Sequence, residues 1–468
     1  MSNTKESATR TQATAGTHDA TTQDLKRQLK PRHIIMMALG GAIGAGLFKG
    51  SDTSINQTGP GALAAYLLGG LILLFVMQGL GEMAVHHPQA RTFRELIHPL
   101  LGPFAAHLTG WIYWLDWVLV MAAETAASAG FLTYWFPTVP VWLLALIVSV
   151  VMTVLNLFQV GVYGETEYWM SGIKIVVLAL FVIFGIILLF TGFHGQPAPR
   201  FSHLTDAGGF FPHGLNGFAS SLLVVMFSFG GTEMIGMTLG ETDNPARIIP
   251  RAARGVIFRI LLFYVLPILV IVSLVPWNHL GAGNSPFVTV FQSVGIPYVA
   301  GVMNFVMLTA VLSATNSGMY AASRMLYTQS LSGQAPRFFT QLSNRKVPIR
   351  ALLVSTSFLY VGVIVAFFAK GNTFGYLMTI PGYSVILVWI LIAAAHLKSR
   401  SQRKGAPHSS TGGSVIGSWF ALFALVAIFI GVVATTPIWG TIVMVIVLAL
   451  VTVGYFMQDP KRRTTDSN

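Results

Sequence analysis

From His33 to Met457 the chain alternates long apolar stretches with short joints rich in Gly, Pro, Asn and His, such as Gly192 to Gly214 and Trp277 to Pro286. A helix of about 20 residues crosses a hydrocarbon core, and most of these stretches are near that length with few charges. The pattern predicts twelve membrane-spanning helices, at 33–56, 62–85, 101–134, 140–160, 168–192, 215–239, 253–275, 297–323, 350–369, 374–397, 414–435 and 438–457. Residues 1–31 are rich in Thr, Ala, Ser and Gln and show no apolar period. They lack the apolar core of a signal peptide and read as a disordered cytoplasmic tail.

Composition agrees with the pattern. Of 468 residues 54% are hydrophobic and only 9% charged, against about a quarter charged in soluble domains, which excludes a cytosolic enzyme. The absence of cysteine removes disulfides, thiolate nucleophiles and cysteine metal sites. The formal charge of +12 raises the question of nucleic acid, but the basic residues sort by loop. Lys26, Arg27, Lys30, Arg32, Arg91, Arg94, Arg247, Arg251, Arg254, Arg324, Arg337, Arg350, Lys398, Arg400, Arg403 and Lys461 to Arg463 fall on the side of the N-terminal tail, while Lys49, Arg200 and Lys370 fall on the other. Lysine and arginine stay cytoplasmic near a span. Both termini are therefore expected in the cytoplasm of a multi-pass cell-membrane protein, with the lipid bilayer rather than nucleic acid as the partner of its surface. One cation, Lys174, is left inside the fifth span.

Two spans are interrupted by glycine. The first contains Gly40-Gly41-Ala42-Ile43-Gly44-Ala45-Gly46, and the sixth contains Phe227-Ser228-Phe229-Gly230-Gly231-Thr232-Glu233. They sit five spans apart, which sets the breaks at equivalent positions of two halves with opposite topology, the arrangement of inverted-repeat secondary transporters. The halves would be 33–192 and 215–397, within a core of 32–400; a linker and the last two spans occupy 401–457, and 458–468 is a cytoplasmic tail.

From about Leu29 onward the chain resembles the bacterial amino acid permeases of the amino acid–polyamine–organocation superfamily, within the amino acid transporter family. The resemblance rests on Arg32-His33 with Ala38 to Phe48, on Gly59-Pro60-Gly61, Gly81-Glu82-Met83-Ala84 and Gly110-Trp111-Ile112-Tyr113-Trp114, and on Ile173-Lys174. Gly240-Glu241-Thr242 with Asn244-Pro245, Asn316 to Tyr320 and Ser323 to Tyr327 extend it. It implies an all-α integral membrane fold of twelve helices: a LeuT-type 5+5 inverted repeat with helices 1 and 6 broken, plus two appended helices. The chain departs from the family at Lys49, Asp52 and Arg91-Thr92-Phe93-Arg94; Lys49 and Asp52 are spaced to pair along a helix.

The glycine breaks stand on their own chemistry. Four glycines within seven residues invite unwinding, and free backbone in a bilayer is tolerated only around a polar cavity. Amide N–H groups of Gly44, Ala45 and Gly46 would face a carboxylate at the start of the second half-helix. Carbonyls of Ala42 and Ile43, and of Phe227, Ser228 and Phe229 beside Gly231, would face an ammonium group. An amino acid zwitterion fits both. The alternative use of such glycines is close helix packing.

Lys174 sits in an apolar helix, where a cation must find a partner, snorkel to the interface or shed its proton. In the similar permeases this lysine stands where sodium-driven relatives hold sodium, which implies a proton symporter with H⁺ as coupling ion and no other cofactor. Glu124, seven residues after Trp117 on nearly the same face, is expected to attract the substrate ammonium or relay a proton, and Glu233 to relay a proton. Each acid also has the simpler reading of a protonated group bonded between helices. Asp116 reads as structural, Phe227 and Phe229 as a lid or as packing, Glu82 and Glu241 as partners of nearby loop arginines. Ser313, Thr315, Asn316 and Ser317 are expected to bond span 1 or Lys174. No HExxH or Walker loop occurs, so neither a metal nor ATP hydrolysis within the chain supplies the energy. Paired catalytic residues and a filter motif are missing, which argues against an enzyme and a channel. A neutral amino acid is the expected substrate, with exchange, cationic amino acids and γ-aminobutyrate as alternatives; nothing in the chain requires an obligate protein partner.

Overall fold

A computed structural model of the chain describes residue 36 and residues 43–87, 89–159, 163–192, 198–199, 201–237, 239, 255–280, 285–293, 295, 297–343, 347–369, 373–403 and 414–458. The tails, Ala42, Glu241 and the linker at 404–413 lie outside them.

The helices in chain order are α1 (Ala45–Phe48), α2 (Gly50–Thr58), α3 (Ala62–His86), α4 (Phe93–Leu101), α5 (Pro103–Leu132) and α6 (Val141–Gln159). Next come α7 (Tyr163–Thr191), α8 (Gly214–Phe229), α9 (Val256–Ile260), α10 (Leu266–Leu274), α11 (Pro286–Ser293) and α12 (Pro297–Leu331). The chain ends with α13 (Ile349–Ser357), α14 (Leu359–Phe368), α15 (Thr373–Gln402), α16 (Val415–Thr435) and α17 (Ile438–Met457). Among the described residues there is no strand, and nine helical stretches are long and apolar enough to cross a membrane. Two shorter apolar stretches, Val141–Asn156 and Phe258–Leu274, fall below that length.

Most element limits match the apolar pattern to within a few residues, because lipid-facing and core-facing residues are both apolar in a span. The differences lie where polarity hides structure. Helix α4 was expected as part of a loop; it is nine residues long, and its Phe93, Leu96, Ile97 and Leu100 follow helical spacing and are buried, while Glu95 and His98 mask the stripe. Helix α11 replaces part of another expected loop. Span 7 is divided by a π turn, Leu261–Val265, between α9 and α10.

Helix α5 is the hub, packing against α4, α6, α12, α14 and α15. Helix α8 lies against α2, α3, α15 and α16, and α7 against α10 and α12. The two breaks at the ends of α1 and α8 are thereby brought beside the middle of α5.

At the far end of α3, Glu82 takes partners other than the expected Arg91 or Arg94. Arg400 Nε of α15 stands 2.6 Å from its Oε1, and Arg400 also donates to Oε2 at 2.8 Å. His396 Nε2 is 3.2 Å from Oε2, and Arg403 approaches Oε1 at 3.8 Å. The second ring nitrogen of His396 meets Ser418 Oγ of α16 at 2.7 Å. Sequence neighbours lost to α15 because helix packing lays its last turns directly on α3. Glu82→Ala should lower unfolding stability by about 3 kcal/mol, the low end for a buried pair because both arginines keep contact with solvent. Thermal unfolding in detergent measures it, and an unchanged midpoint would refute this role for Glu82.

Candidate functional site

The first break is held open by an acid and a base. Gly44 is extended (φ −137°, ψ −150°) and α1 starts at Ala45, whose N–H donates to both carboxylate oxygens of Glu124, at 3.0 Å each. A Cβ on Gly44 would strike Glu124 Oε1 and stand 3.0 Å from the Ala314 Cβ, so glycine is what lets the carboxylate reach the helix start. One residue earlier, the Ile43 carbonyl accepts a hydrogen bond of 3.1 Å from Lys174 Nζ. Glu124 and Lys174 are both buried. The Ala45 amide expected to meet a substrate carboxylate thus meets the carboxylate of Glu124.

At the second break α8 stops at Phe229. Gly230 is extended, and Gly231 has φ +95°, a left-handed conformation that favours glycine; a 3-10 turn, Thr232–Met237, follows. The Gly231 N–H donates to Glu233 Oε1 at 3.0 Å, and Trp389 Nε1 of α15 donates to Glu233 Oε2 at 3.2 Å. These bonds pair backbone groups that unwinding frees, as burial in a membrane requires.

The two breaks touch. Ser228 Oγ donates to the Gly46 carbonyl at 2.6 Å and to Val224 O at 2.8 Å, while Tyr264 donates to the Ser228 carbonyl at 2.9 Å. A Cβ on Gly46 would come 2.6 Å from Ser228 Cα.

Between them lies a small cavity. Gly44 and Gly46 line it from the first break, Phe227, Gly230 and Gly231 from the second, Asp116, Trp117, Val120 and Glu124 from α5, and Pro381 and Val385 from α15. It offers about 20 Å³ to the centre of a water-sized sphere, enough for one water, so an amino acid enters only if the walls move.

Five of the residues singled out in sequence thus line the cavity: Gly44, Gly46, Phe227, Gly231 and Glu124. Ile43, Ala45 and Ser228 stand behind it, contributing the backbone contacts just described. Glu233 and Lys174 form a second layer, Glu233 reaching the second break through the Gly231 N–H and Lys174 the first through the Ile43 carbonyl. Phe229 turns away from the cavity and packs with Tyr66 and Tyr264, ring centroids 5.7 and 4.8 Å apart. Ala42 falls outside the described residues. Lys49 and Asp52 do pair, at 3.9 Å.

Sequence reasoning missed two acids. Asp116, taken as structural, is buried at the cavity wall. Its signal was the α5 face it shares with Val120 and Glu124 at four-residue steps. Glu167, buried in α7, accepts from Ser171 at 2.9 Å and from Ser313 of α12 at 2.7 Å. Its spacing to Ser171 and Lys174, four and seven residues, was the available signal. Ser313 therefore bonds Glu167 rather than span 1 or Lys174.

An all-helical chain with this many bilayer-length spans, and two unwound glycine segments meeting at a buried charged cavity, is a multi-pass membrane protein built around a small polar site. The chain belongs to the amino acid permease family: the family model described as "Amino acid permease" matches residues 33–460. Its relatives include the "Uncharacterized amino acid permease YvbW" of Bacillus subtilis (strain 168), 50% identical over 94% of this chain and 99% of that protein. The "Gamma-aminobutyric acid permease" of the same organism is 43% identical over 81% of each chain. The "Aromatic amino acid transport protein AroP" of Escherichia coli (strain K12) is 38% identical over 93% of this chain and 96% of its own length. By family this is an amino acid transport protein, in keeping with its membrane helices.

Proposed function

We propose that the protein imports an amino acid with an uncharged side chain together with a proton, by alternating access, in the cell membrane with both termini cytoplasmic. The twelve-span 5+5 arrangement, with α1 and α8 next to the two breaks, is the fold this reading requires. The observation that carries it is the pairing at the first break: Lys174 on the Ile43 carbonyl and Glu124 on the Ala45 amide. A change of charge on either side chain acts directly on backbone that borders the cavity. Among the described residues Asp116, Glu124, Glu167 and Glu233 are buried acids of the membrane interior, and Lys174 is its one buried lysine. Such an excess of acids in a membrane interior is costly, and bound protons relieve it. Trp117, Val120, Phe227, Pro381 and Val385 give the cavity an apolar wall, which supports a substrate with an uncharged side chain.

In this cycle the substrate ammonium competes for Glu124, releasing the Ala45 amide for the substrate carboxylate. Purified protein in proteoliposomes should take up radiolabelled amino acid when the outside is made acidic, and unlabelled neutral amino acids should compete. Uptake indifferent to ΔpH would sink the symport reading, and indifference to every amino acid would sink the substrate class.

A second reading, a cationic amino acid or an ω-amino acid whose ammonium stands apart from its carboxylate, is favoured by Asp116 at the cavity wall and by the relative named for γ-aminobutyrate. Asp116→Asn separates the two. For a cationic substrate it should weaken uptake on the order of 100-fold, as loss of a buried charge partner costs about 3 kcal/mol. For a neutral substrate uptake should change by less than about threefold, within the 1.4 kcal/mol of a tenfold step.

A further inference from the structure

Glu167 lies two helical turns before Lys174 on the same face of α7 and is fully buried. Its Oε1 accepts both serine hydroxyls, Ser171 and Ser313, while Oε2, buried as deeply, accepts no hydrogen bond. A bare carboxylate oxygen in a membrane interior is expensive, and an amide at this position would satisfy the two serines without a charge. Among the described residues the carboxylates that act on Lys174 are those of Glu167 and, more weakly, Glu124. The arrangement therefore sets an acid with one oxygen that accepts no hydrogen bond two helical turns from the lysine that donates to the broken helix.

We infer that Glu167 is the proton partner of Lys174, with Oε2 as the accepting atom. In the discharging step the Lys174 ammonium swings from the Ile43 carbonyl to Oε2, which accepts no hydrogen bond in this structure; an Nζ–H bond breaks and an O–H bond forms on Oε2, leaving a neutral amine and a carboxylic acid. The acid then gives that proton to water on the side of release and returns to carboxylate. The amine takes the next proton from water on the side of entry. Transfer within the pair removes two buried charges together, and the lone carboxylate left after release favours reprotonation of the amine. The neutral amine holds the Ile43 carbonyl less firmly than the ammonium does, which transmits the step to the break.

This assignment rests on the proton-symport reading. Among the described residues, the titratable groups facing the pair are Glu124 from α5 and, beyond it, Tyr264 of the π turn, which interacts with Glu124. Helix α12 brings the hydroxyls of Ser313 and Ser317, and α10 carries no titratable side chain.

The test uses the full chain in proteoliposomes with a radiolabelled mixture of neutral amino acids, comparing ΔpH-driven accumulation with counterflow exchange at equal pH. Glu167→Gln keeps an acceptor for both serines but cannot carry the proton. It should lose accumulation on the order of 100-fold while keeping counterflow, and Glu167→Asp should restore part of the loss. Accumulation equal to that of the unmodified protein, or a parallel loss of accumulation and counterflow, would overturn the assignment. Where Glu167→Gln fails to insert, Ser313→Ala decides, because it keeps the carboxyl and strips one donor. The pH midpoint of uptake should then move, and an unmoved midpoint overturns the proposal. Unmodified protein that ignores ΔpH would fail the symport reading itself, and this assignment with it.

Discussion

Lys174→Ala should abolish accumulation driven by an inward proton gradient, by about 100-fold, while leaving exchange of labelled for unlabelled amino acid in place. The lysine is buried, donates to the Ile43 carbonyl at 3.1 Å and does not line the cavity. Its removal therefore deletes the proposed proton carrier without deleting a residue of the cavity lining. Exchange needs only a loaded carrier moving in both directions; net uptake against a gradient needs the coupling. Accumulation that still follows ΔpH in the variant would refute the role of Lys174. The exchange assay guards against a trivial cause, since a misfolded protein loses both activities.

Gly46→Ala should be nearly as severe, by a different route. The new methyl would fall 2.6 Å from Ser228 Cα, a backbone atom that cannot rotate aside. Overpacking of this kind costs about 1–3 kcal/mol. Charged to the conformation in which the breaks touch, it should slow transport by roughly 10- to 100-fold at 1.4 kcal/mol per tenfold. Gly130→Ala is the control: a Cβ there meets nothing within 4 Å, and transport should be unchanged. Similar uptake by Gly46→Ala and Gly130→Ala would show that the contact between the breaks does not limit the cycle.

The helices were legible because a bilayer demands long apolar runs, and the breaks because glycine clusters such as Gly44 and Gly46 have no other use in a lipid-crossing helix than to unwind or to pack closely. Lys174, Glu124 and Glu233 were legible as charges out of their usual surroundings. Partners were much less so. Glu82 faces Arg400, more than three hundred residues away, and nothing in its local sequence points there. Ala45 receives Glu124 rather than remaining open, because only the packing of α5 on the break decides which carboxylate reaches that amide first. Asp116 reads as structural beside Trp114 and Trp117, and only the packing of α5 shows that it stands at the cavity wall. Glu167 was passed over because it stood one residue outside the apolar run used to mark the span. Pattern reports how unusual a residue is, while three-dimensional packing determines what it meets.

His396 links the core helices to the pair that follows them. One ring nitrogen lies against Glu82 of α3 and the other against Ser418 of α16. A protein shortened after Gln402 would expose that second nitrogen, together with the flank of α3 that α16 covers, to lipid tails that offer no hydrogen bond. The last two helices are for this reason not a detachable appendage. They act as a brace, and any rocking that parts α3 from α15 must either carry α16 along or break its hold on a single imidazole.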